Sequence, residues 1–267
     1  MSIDNRTALQ GKTALVTGAS GGMGADFARE LAARGAGLVL VARRADKLGE
    51  LKAEITASAG VPVDVVAMDL EPRDAPPALY DAVKKQGRVI DIVVNNAGFG
   101  LYGKFGDVEW ERERRMLDLD IMTLTHMTRL FLPDMLERHF GRILLVSSIG
   151  AFQPSPTYAA YSAAKSYVLS FGEALHYELK GTGVSCTVIC PGVTKTEFLS
   201  VAGQKPTAYQ RRTMMESSAV AAAGIRALLK GRSCVVPGSV NALSAWMTRF
   251  LPRQTAAAVA DRFMSAG

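Results

Sequence analysis

The chain has 267 residues, 48 % hydrophobic and 21 % charged, a balance that suits a folded chain with a full core and excludes extended disorder. Its 31 basic and 25 acidic residues leave a net charge of +6 without a run of five like charges; that permits nucleic-acid binding without demanding it and suits a phosphorylated cofactor equally, so no nucleic-acid partner is expected. Glycine is in modest excess, 25 residues or about 9 % against the usual ~7 %, which raises the question of where backbone must bend sharply or approach something closely.

The three cysteines, Cys186, Cys190 and Cys234, and three histidines, His126, His139 and His176, match no zinc spacing. No metal is expected. Cys186 and Cys190 lie in an apolar run and read as buried thiols, so a reducing, cytoplasmic compartment is expected. Met1 to Arg6 lack the apolar core of a signal peptide, and no apolar stretch is long enough to predict a membrane-spanning helix.

In chain order, short β-branched runs alternate with amphipathic segments. Thr13 to Thr17 reads as a buried strand, and Gly22 to Arg34 as a helix ending near Gly35. Leu38 to Ala42, Val63 to Met68 and Ile90 to Val94 read as strands, with helices at Asp46 to Ala59 and Ala78 to Gln86 between them. A long helix is expected from about Val108 to Glu137, opening on the sign-alternating run Glu111-Arg112-Glu113-Arg114-Arg115, which reads as a solvated face. Arg142 to Ser147 is the fifth strand, Thr157 to Lys180 a helix, Val184 to Ile189 the sixth strand, Ser218 to Leu229 a helix and Cys234 to Val236 a short last strand. Strands that are apolar on consecutive residues and separated by helices predict an α/β fold, a doubly wound parallel sheet covered on both faces. No linker divides the chain, so one domain over 1–267 is expected. Ser244 to Leu251 and the tail to Met264 are moderately amphipathic; they read as packing helices or as a helix lying on a membrane surface.

The first strand runs into Thr17-Gly18-Ala19-Ser20-Gly21-Gly22-Met23-Gly24, which holds four glycines within seven residues. Between a strand and a helix, such a turn lets backbone N–H groups approach a pyrophosphate at the helix N-terminus. Its spacing is not the common G-x-G-x-x-G, and a tight turn packing helix on sheet is the simpler alternative.

The pattern T-G-x-x-x-G-x-G resembles that of the short-chain dehydrogenase/reductase family, and the resemblance continues through nearly the whole chain. Asn95-Asn96-Ala97-Gly98 is similar to the family's N-N-A-G after strand four, and Tyr161-Ser162-Ala163-Ala164-Lys165 to its Y-x-x-x-K. Ser148 stands 13 residues before Tyr161, the family's spacing for its serine. Pro191-Gly192-Val193-Thr194-Lys195-Thr196 is similar to its P-G motif after strand six. The resemblance implies a Rossmann fold and hydride transfer between a nicotinamide cofactor and a carbonyl/alcohol pair. It implies a catalytic set of Ser148, Tyr161 and Lys165. It also implies cofactor contacts from Gly18, Ser20, Gly22, Met23 and Gly24, from Asn95, Ala97 and Gly98, from Tyr161 and Lys165, and from Pro191, Gly192, Val193 and Thr196.

These residue types make physical sense of that chemistry. Tyr161 and Lys165 are i and i+4 on a helix and share a face. A free phenol has a pKa near 10, too high for an easy base, and a nearby ammonium favours the phenolate. Tyr161 is then the proton donor in reduction and the acceptor in oxidation, with Ser148 hydrogen-bonding the substrate oxygen. Ser147 should point the other way in a strand. One position departs from the family pattern: where the family has asparagine, Met116-Leu117-Asp118-Leu119-Asp120-Ile121 carries Asp120. An ionised carboxylate cannot donate a hydrogen bond, and it would stabilise the Lys165 ammonium while weakening its field at Tyr161.

The end of strand two reads Val41-Ala42-Arg43-Arg44, with no carboxylate to bind a ribose 2′-hydroxyl. Arg43 stands where the family binds NADP, and Arg44 adds charge or covers the adenine; a guanidinium grips phosphate in a bidentate, charge-assisted way. NADP(H) is therefore the expected cofactor. Asp69-Leu70 resembles the family's adenine-binding pair. A substrate lid is expected over about 193–216, and Phe99, Tyr102, Phe105, Phe152 and Phe198 are candidate pocket residues. The expected partner is a small-molecule carbonyl or alcohol. The family implies a homodimer or homotetramer, for which Met116, Leu119, Thr123, Met127 and Leu130 offer apolar rows on the long helix. An NADPH-dependent carbonyl reductase is favoured, a 3-oxoacyl thioester reductase is its narrower form, and a cofactor-binding regulator with impaired catalysis is the alternative that Asp120 suggests.

Overall fold

The computed structural model describes residues 7–264; Met1 to Arg6, read above for a signal peptide, lie outside them. The elements run β1 (Thr13–Thr17), α1 (Gly22–Ala32), β2 (Gly37–Ala42), α2 (Ala45–Ala59), β3 (Val63–Ala67), α3 (Ala75–Lys85) and β4 (Ile92–Asn95). They continue as α4 (Trp110–Leu117), α5 (Leu124–Glu137), β5 (Gly141–Val146), α6 (Ala159–Glu178), β6 (Val184–Ile189), β7 (Thr194–Lys195), α7 (Phe198–Ala202) and α8 (Ala208–Thr213). The chain closes with β8 (Met215–Glu216), α9 (Ser217–Leu229), β9 (Cys234–Val235), α10 (Ser239–Met247) and α11 (Arg253–Met264).

Seven strands form one parallel sheet in the order β3-β2-β1-β4-β5-β6-β9. This is the α/β Rossmann architecture that consecutive apolar strands predict, because both faces must be covered. Phe27, Leu31, Leu48, Ile55, Val220 and Ile225 fill one face from α1, α2 and α9. Leu79, Met127, Phe131, Val168 and Leu175 fill the other from α3, α5 and α6. The order reverses direction between β1 and β4, so their C-terminal ends open the crevice where such sheets bind ligands.

The structure departs from the sequence reading at several points. Helix α3 begins at Ala75, before Pro76 and Pro77, because the first turn of a helix has no partner for the N–H that proline lacks. The long helix is interrupted: Asp118–Thr123 form a π-helical segment between α4 and α5, a wide turn of the kind found at functional sites. Its opening run is not wholly solvated, since Glu113 is buried. Met116, Leu119, Thr123 and Met127 are buried and Leu130 half-buried within the chain. Those rows therefore belong to the core rather than to a face between copies. The C-terminal helix starts at Ser239, earlier than expected, and a 3-10 turn at Thr248–Phe250 separates it from α11.

Candidate active site

The glycine turn is held in place by the segment after β4. Thr17 Oγ1 donates to the Val94 carbonyl at 3.2 Å and accepts from the N–H groups of Asn96 and Ala97, each at 3.0 Å. Asn96 Nδ2 donates to the carbonyls of Thr17 and Gly18 at 2.9 and 3.3 Å. Gly18 adopts φ +66°, and a Cβ on Gly24 would sit 2.1 Å from the Gly18 carbonyl oxygen. Only glycine allows helix α1 to start this close to β1. Asn96 was legible as part of a motif, but its clamping role was not. Asn95 is committed elsewhere: it is buried and donates to Thr128 Oγ1 at 3.0 Å.

At the end of β2 the two arginines reach opposite walls of the crevice. Arg44 donates to Ser20 Oγ and to the Ser20 carbonyl, both at 3.2 Å, and lies 3.3 Å from Glu197. Arg43 pairs with Glu71 at 3.1 Å, and Arg115 pairs with the same carboxylate. Three guanidiniums thus share two carboxylates, leaving N–H donors for an anion. Asp69 Oδ1 accepts from the Glu71 N–H at 3.1 Å, and Leu70 is buried beneath it.

The three residues expected to carry the chemistry converge from β5 and α6. Ser148 follows β5, and its Oγ accepts from the Gly150 N–H at 3.1 Å. Ser147 instead donates to the Lys165 carbonyl at 2.7 Å, pointing away as strand alternation requires. Lys165 is buried, with Nζ 3.2 Å from the Val146 carbonyl and 5.6 Å from the centre of the Tyr161 ring. Its counter-ion is Asp120: Oδ2 lies 2.9 Å from Nζ, and the carboxylate is fully buried. Asp120 Oδ1 accepts from the Phe99 N–H at 3.2 Å. Oδ2 has no well-aligned hydrogen bond, so the contact with Lys165 is chiefly Coulombic. Gly98 makes room for the pair, because a Cβ there would stand 2.4 Å from Asp120 Oδ1.

Burial pushes the Tyr161 phenol well above its ordinary value, the Asp120 charge pushes it further, and hydrogen bonding to Ser148 pulls it down. Burial also raises the Asp120 carboxyl, against the pull of Lys165 and the Phe99 N–H. Burial pushes the Cys186 thiol up to about 12, consistent with an inert core thiol.

After β6, Pro191 accepts from the Ile149 N–H at 2.8 Å and Val193 from the Met215 N–H at 3.0 Å. Thr196 packs on Gly22 and Asn241 of α10 on Gly192, leaving no space for a Cβ on Gly192. These residues border a cavity of about 520 Å³. Met23, Ser148, Tyr161, Pro191, Gly192, Val193 and Thr196 line its inner end. Phe198, Leu199 and Tyr209 from the 193–216 segment continue it, and Val240, Leu243, Met247, Leu251, Val259 and Phe263 from α10, α11 and the turn between them complete it. Those C-terminal residues were legible as an amphipathic stripe, but not as a cavity wall.

Of the five aromatic candidates, Phe198 alone lines this cavity. Phe105 is exposed, Phe152 borders a separate groove beside α6, Tyr102 packs behind Tyr158, and Phe99 offers its N–H to Asp120. The segment over the cavity is tied down by buried amides. Gln204 Oε1 accepts from Tyr158 Oη at 2.8 Å and from Gln210 Nε2 at 3.1 Å, and Gln204 Nε2 donates to the Met264 carbonyl at 2.7 Å.

A glycine turn in which Gly18 and Gly24 leave no room for a Cβ, guanidinium donors at one end and a tyrosine–serine–lysine cluster at the other fit an extended dinucleotide. The comparisons with known proteins agree. The short chain dehydrogenase family model matches residues 12–207. A very-long-chain 3-oxoacyl-CoA reductase of Anas platyrhynchos is 33 % identical over 92 % of this chain and 77 % of its own length. A short-chain dehydrogenase from Sphingobium yanoikuyae, solved in complex with NADPH, superposes with a TM-score of 0.80 at 28 % identity, over 90 % of this chain and 94 % of that one. A 7beta-hydroxysteroid dehydrogenase superposes with a TM-score of 0.85 at 25 % identity, over 98 % of this chain and all of the other. The chain belongs to the short-chain dehydrogenase family and is an oxidoreductase that moves hydride between NAD(P) and an alcohol–carbonyl pair.

Proposed function

We propose that the protein is an NADP(H)-dependent reductase of a long or bulky apolar ketone. The observation that carries this reading is the cavity of about 520 Å³ that begins at Ser148 and Tyr161 and is walled mainly by apolar side chains. A short, hydrophilic carbonyl compound would leave most of that wall uncovered, whereas an acyl chain or a fused-ring skeleton would cover it. The acyl activity of the Anas platyrhynchos relative and the steroid activity of the structural neighbour support the same class. A 3-oxoacyl thioester is the narrower form of the proposal.

In this reading a nicotinamide held by these residues would supply hydride at the substrate's carbonyl carbon. Ser148 holds the carbonyl oxygen, and Tyr161 gives its phenolic proton to that oxygen as the alcohol forms. Lys165 steadies the phenolate that remains, to the extent that Asp120 leaves its field unspent. Arg43 and Arg44 take the 2′-phosphate of NADP(H), helped by Ser20.

The test is loss of NADPH absorbance with a series of ketones and 3-oxoacyl thioesters of increasing chain length. Tyr161→Phe is the control. We expect kcat/KM to rise with chain length, and Tyr161→Phe to lose about 10²-fold or more in rate while still binding NADPH. A wild-type protein that binds NADPH but turns over no member of the series would instead favour the regulator reading that Asp120 suggests.

A further inference from the structure

The C-terminal cap carries an apolar surface and a charge that the reaction does not use. In α10 and the turn after it, Val240, Leu243, Trp246, Met247 and Phe250 each leave 45–67 % of their surface in solvent. Val240, Leu243 and Met247 line the cavity, but Trp246 and Phe250 do not. These two rings pack edge to face at 4.8 Å and point outward as an i, i+4 pair. Single exposed apolar residues need no explanation; a contiguous strip with an aromatic pair does.

The charge of the segments that build this cap is one-sided. Segments 203–213 and 238–264 hold the exposed cations Lys205, Arg211, Arg212, Arg249, Arg253 and Arg262 against one carboxylate, Asp261. They account for five of the six net positive charges of the chain, so the rest of the sequence is almost neutral. Arg43 and Arg44, by contrast, are paired with Glu71 and Glu197. Helix α8, which carries Arg211 and Arg212, packs on α11.

We propose that this cap docks the enzyme on an anionic lipid bilayer, with Trp246 and Phe250 at the headgroup level and the arginines on the lipid phosphates. Helix α10 carries no charge of its own; the arginines stand on the turn after it and on α8 and α11, so it is the cap as a whole that combines exposed aromatic rings with a cationic excess, as surfaces that lie on anionic bilayers do. No helix among the described residues is long and apolar enough to cross a membrane. A second copy of the chain is a poorer occupant, because a two-fold interface here would set each cationic patch against its own image. The cavity rim joins the same surface: Leu251, Val259 and Phe263 line the cavity and are themselves exposed. A docked enzyme would therefore hold its cavity mouth against the phase where long apolar ketones partition, a consequence that rests on the proposed substrate class whereas docking itself does not.

The experiment is co-sedimentation of the full chain with vesicles of phosphatidylcholine alone, or of phosphatidylcholine mixed equally with phosphatidylglycerol. Trp246 fluorescence is read in a Trp110→Phe background. Docking predicts binding to the mixed vesicles that is roughly tenfold tighter or more, a blue shift of Trp246, and release as salt rises from about 0.01 M to 1 M. Trp246→Glu/Phe250→Glu and Arg249→Glu/Arg253→Glu should each lose that binding while keeping the thermal midpoint and the NADPH affinity. Absent binding at low salt, or equal binding to both vesicles, overturns the proposal. So does a Trp246→Glu/Phe250→Glu chain that becomes monomeric where the parent was dimeric, because a second copy would then cover the face.

Discussion

Asp120→Asn removes one charge from the site without changing the side chain's size. In the parent, Asp120 Oδ2 lies 2.9 Å from Lys165 Nζ, which is 5.6 Å from the Tyr161 ring centre. At an effective dielectric of ~20, the ammonium alone favours the phenolate by about 3 kcal/mol, or about 2 pKa units. The carboxylate can stand no farther from the ring than those two distances end to end, about 8.5 Å. At that limit it opposes the phenolate by about 2 kcal/mol, or about 1.4 units, and so cancels most of what Lys165 contributes. The assay is the pH dependence of kcat/KM for alcohol oxidation, which requires Tyr161 as the phenolate. Because burial first and Asp120 second raise the phenol's pKa, oxidation in the parent should still be rising with pH in the alkaline range. Asp120→Asn should move that rise to lower pH by about one unit or more. Ketone reduction, which uses the protonated phenol, should keep its rate below that limb. An alkaline limb that stays in place, or moves upward, would refute the electrostatic reasoning.

Arg43→Ala should weaken NADPH binding at least tenfold, ~1.4 kcal/mol, and leave NADH within about threefold by calorimetry; equal losses for both cofactors would remove the 2′-phosphate assignment. Gly24→Ala drives a Cβ to 2.1 Å from the Gly18 carbonyl oxygen, and the forced shift should cost about 1–3 kcal/mol in chemical denaturation and lower affinity for NADP and NAD alike. Gln204→Leu strands the buried Tyr158 hydroxyl and leaves Gln210 Nε2 with only the weak acceptor Met264 Sδ. It should lose about 1–3 kcal/mol of stability and raise KM for the bulky ketone more than it lowers kcat, and unchanged stability would show that those groups find other partners.

How much of this was legible in the sequence depends on how local each signal is. Strands β1, β2 and β5 announce themselves because a strand buried on both faces is apolar without alternation. The π-helical segment at Asp118–Thr123 does not, since a single wide turn leaves the periodicity of the flanking helices almost intact. Prolines 76 and 77 misdirect the reading of α3, because the same residue type that breaks a helix interior opens a helix. The glycine turn, Ser148, Tyr161 and Lys165 are short motifs and could be read directly. Asp120 could be read as a departure from a pattern. Its contact with Lys165 could not, because it joins the π-helical segment to α6 through space that Gly98 leaves open.

The two halves of the crevice are encoded differently. The proposed cofactor half is written in short runs at the ends of β1 to β6, each legible by itself because its members are neighbours in sequence. The substrate half is assembled from segments far apart in the chain. Asn241 packs on Gly192, bringing α10 against the loop after β6, and Gln204 joins Tyr158 to the last residue of α11. An amphipathic stripe in α10 shows that one face is buried or bound, but not what lies opposite it. On the proposed substrate class, a substitution in the C-terminal cap should change which ketone is reduced while the glycine turn, the arginines and the tyrosine–lysine pair stay in place. On that proposal, substrate choice is to be sought in α8, α10 and α11 rather than in the motifs by which the sequence is recognised.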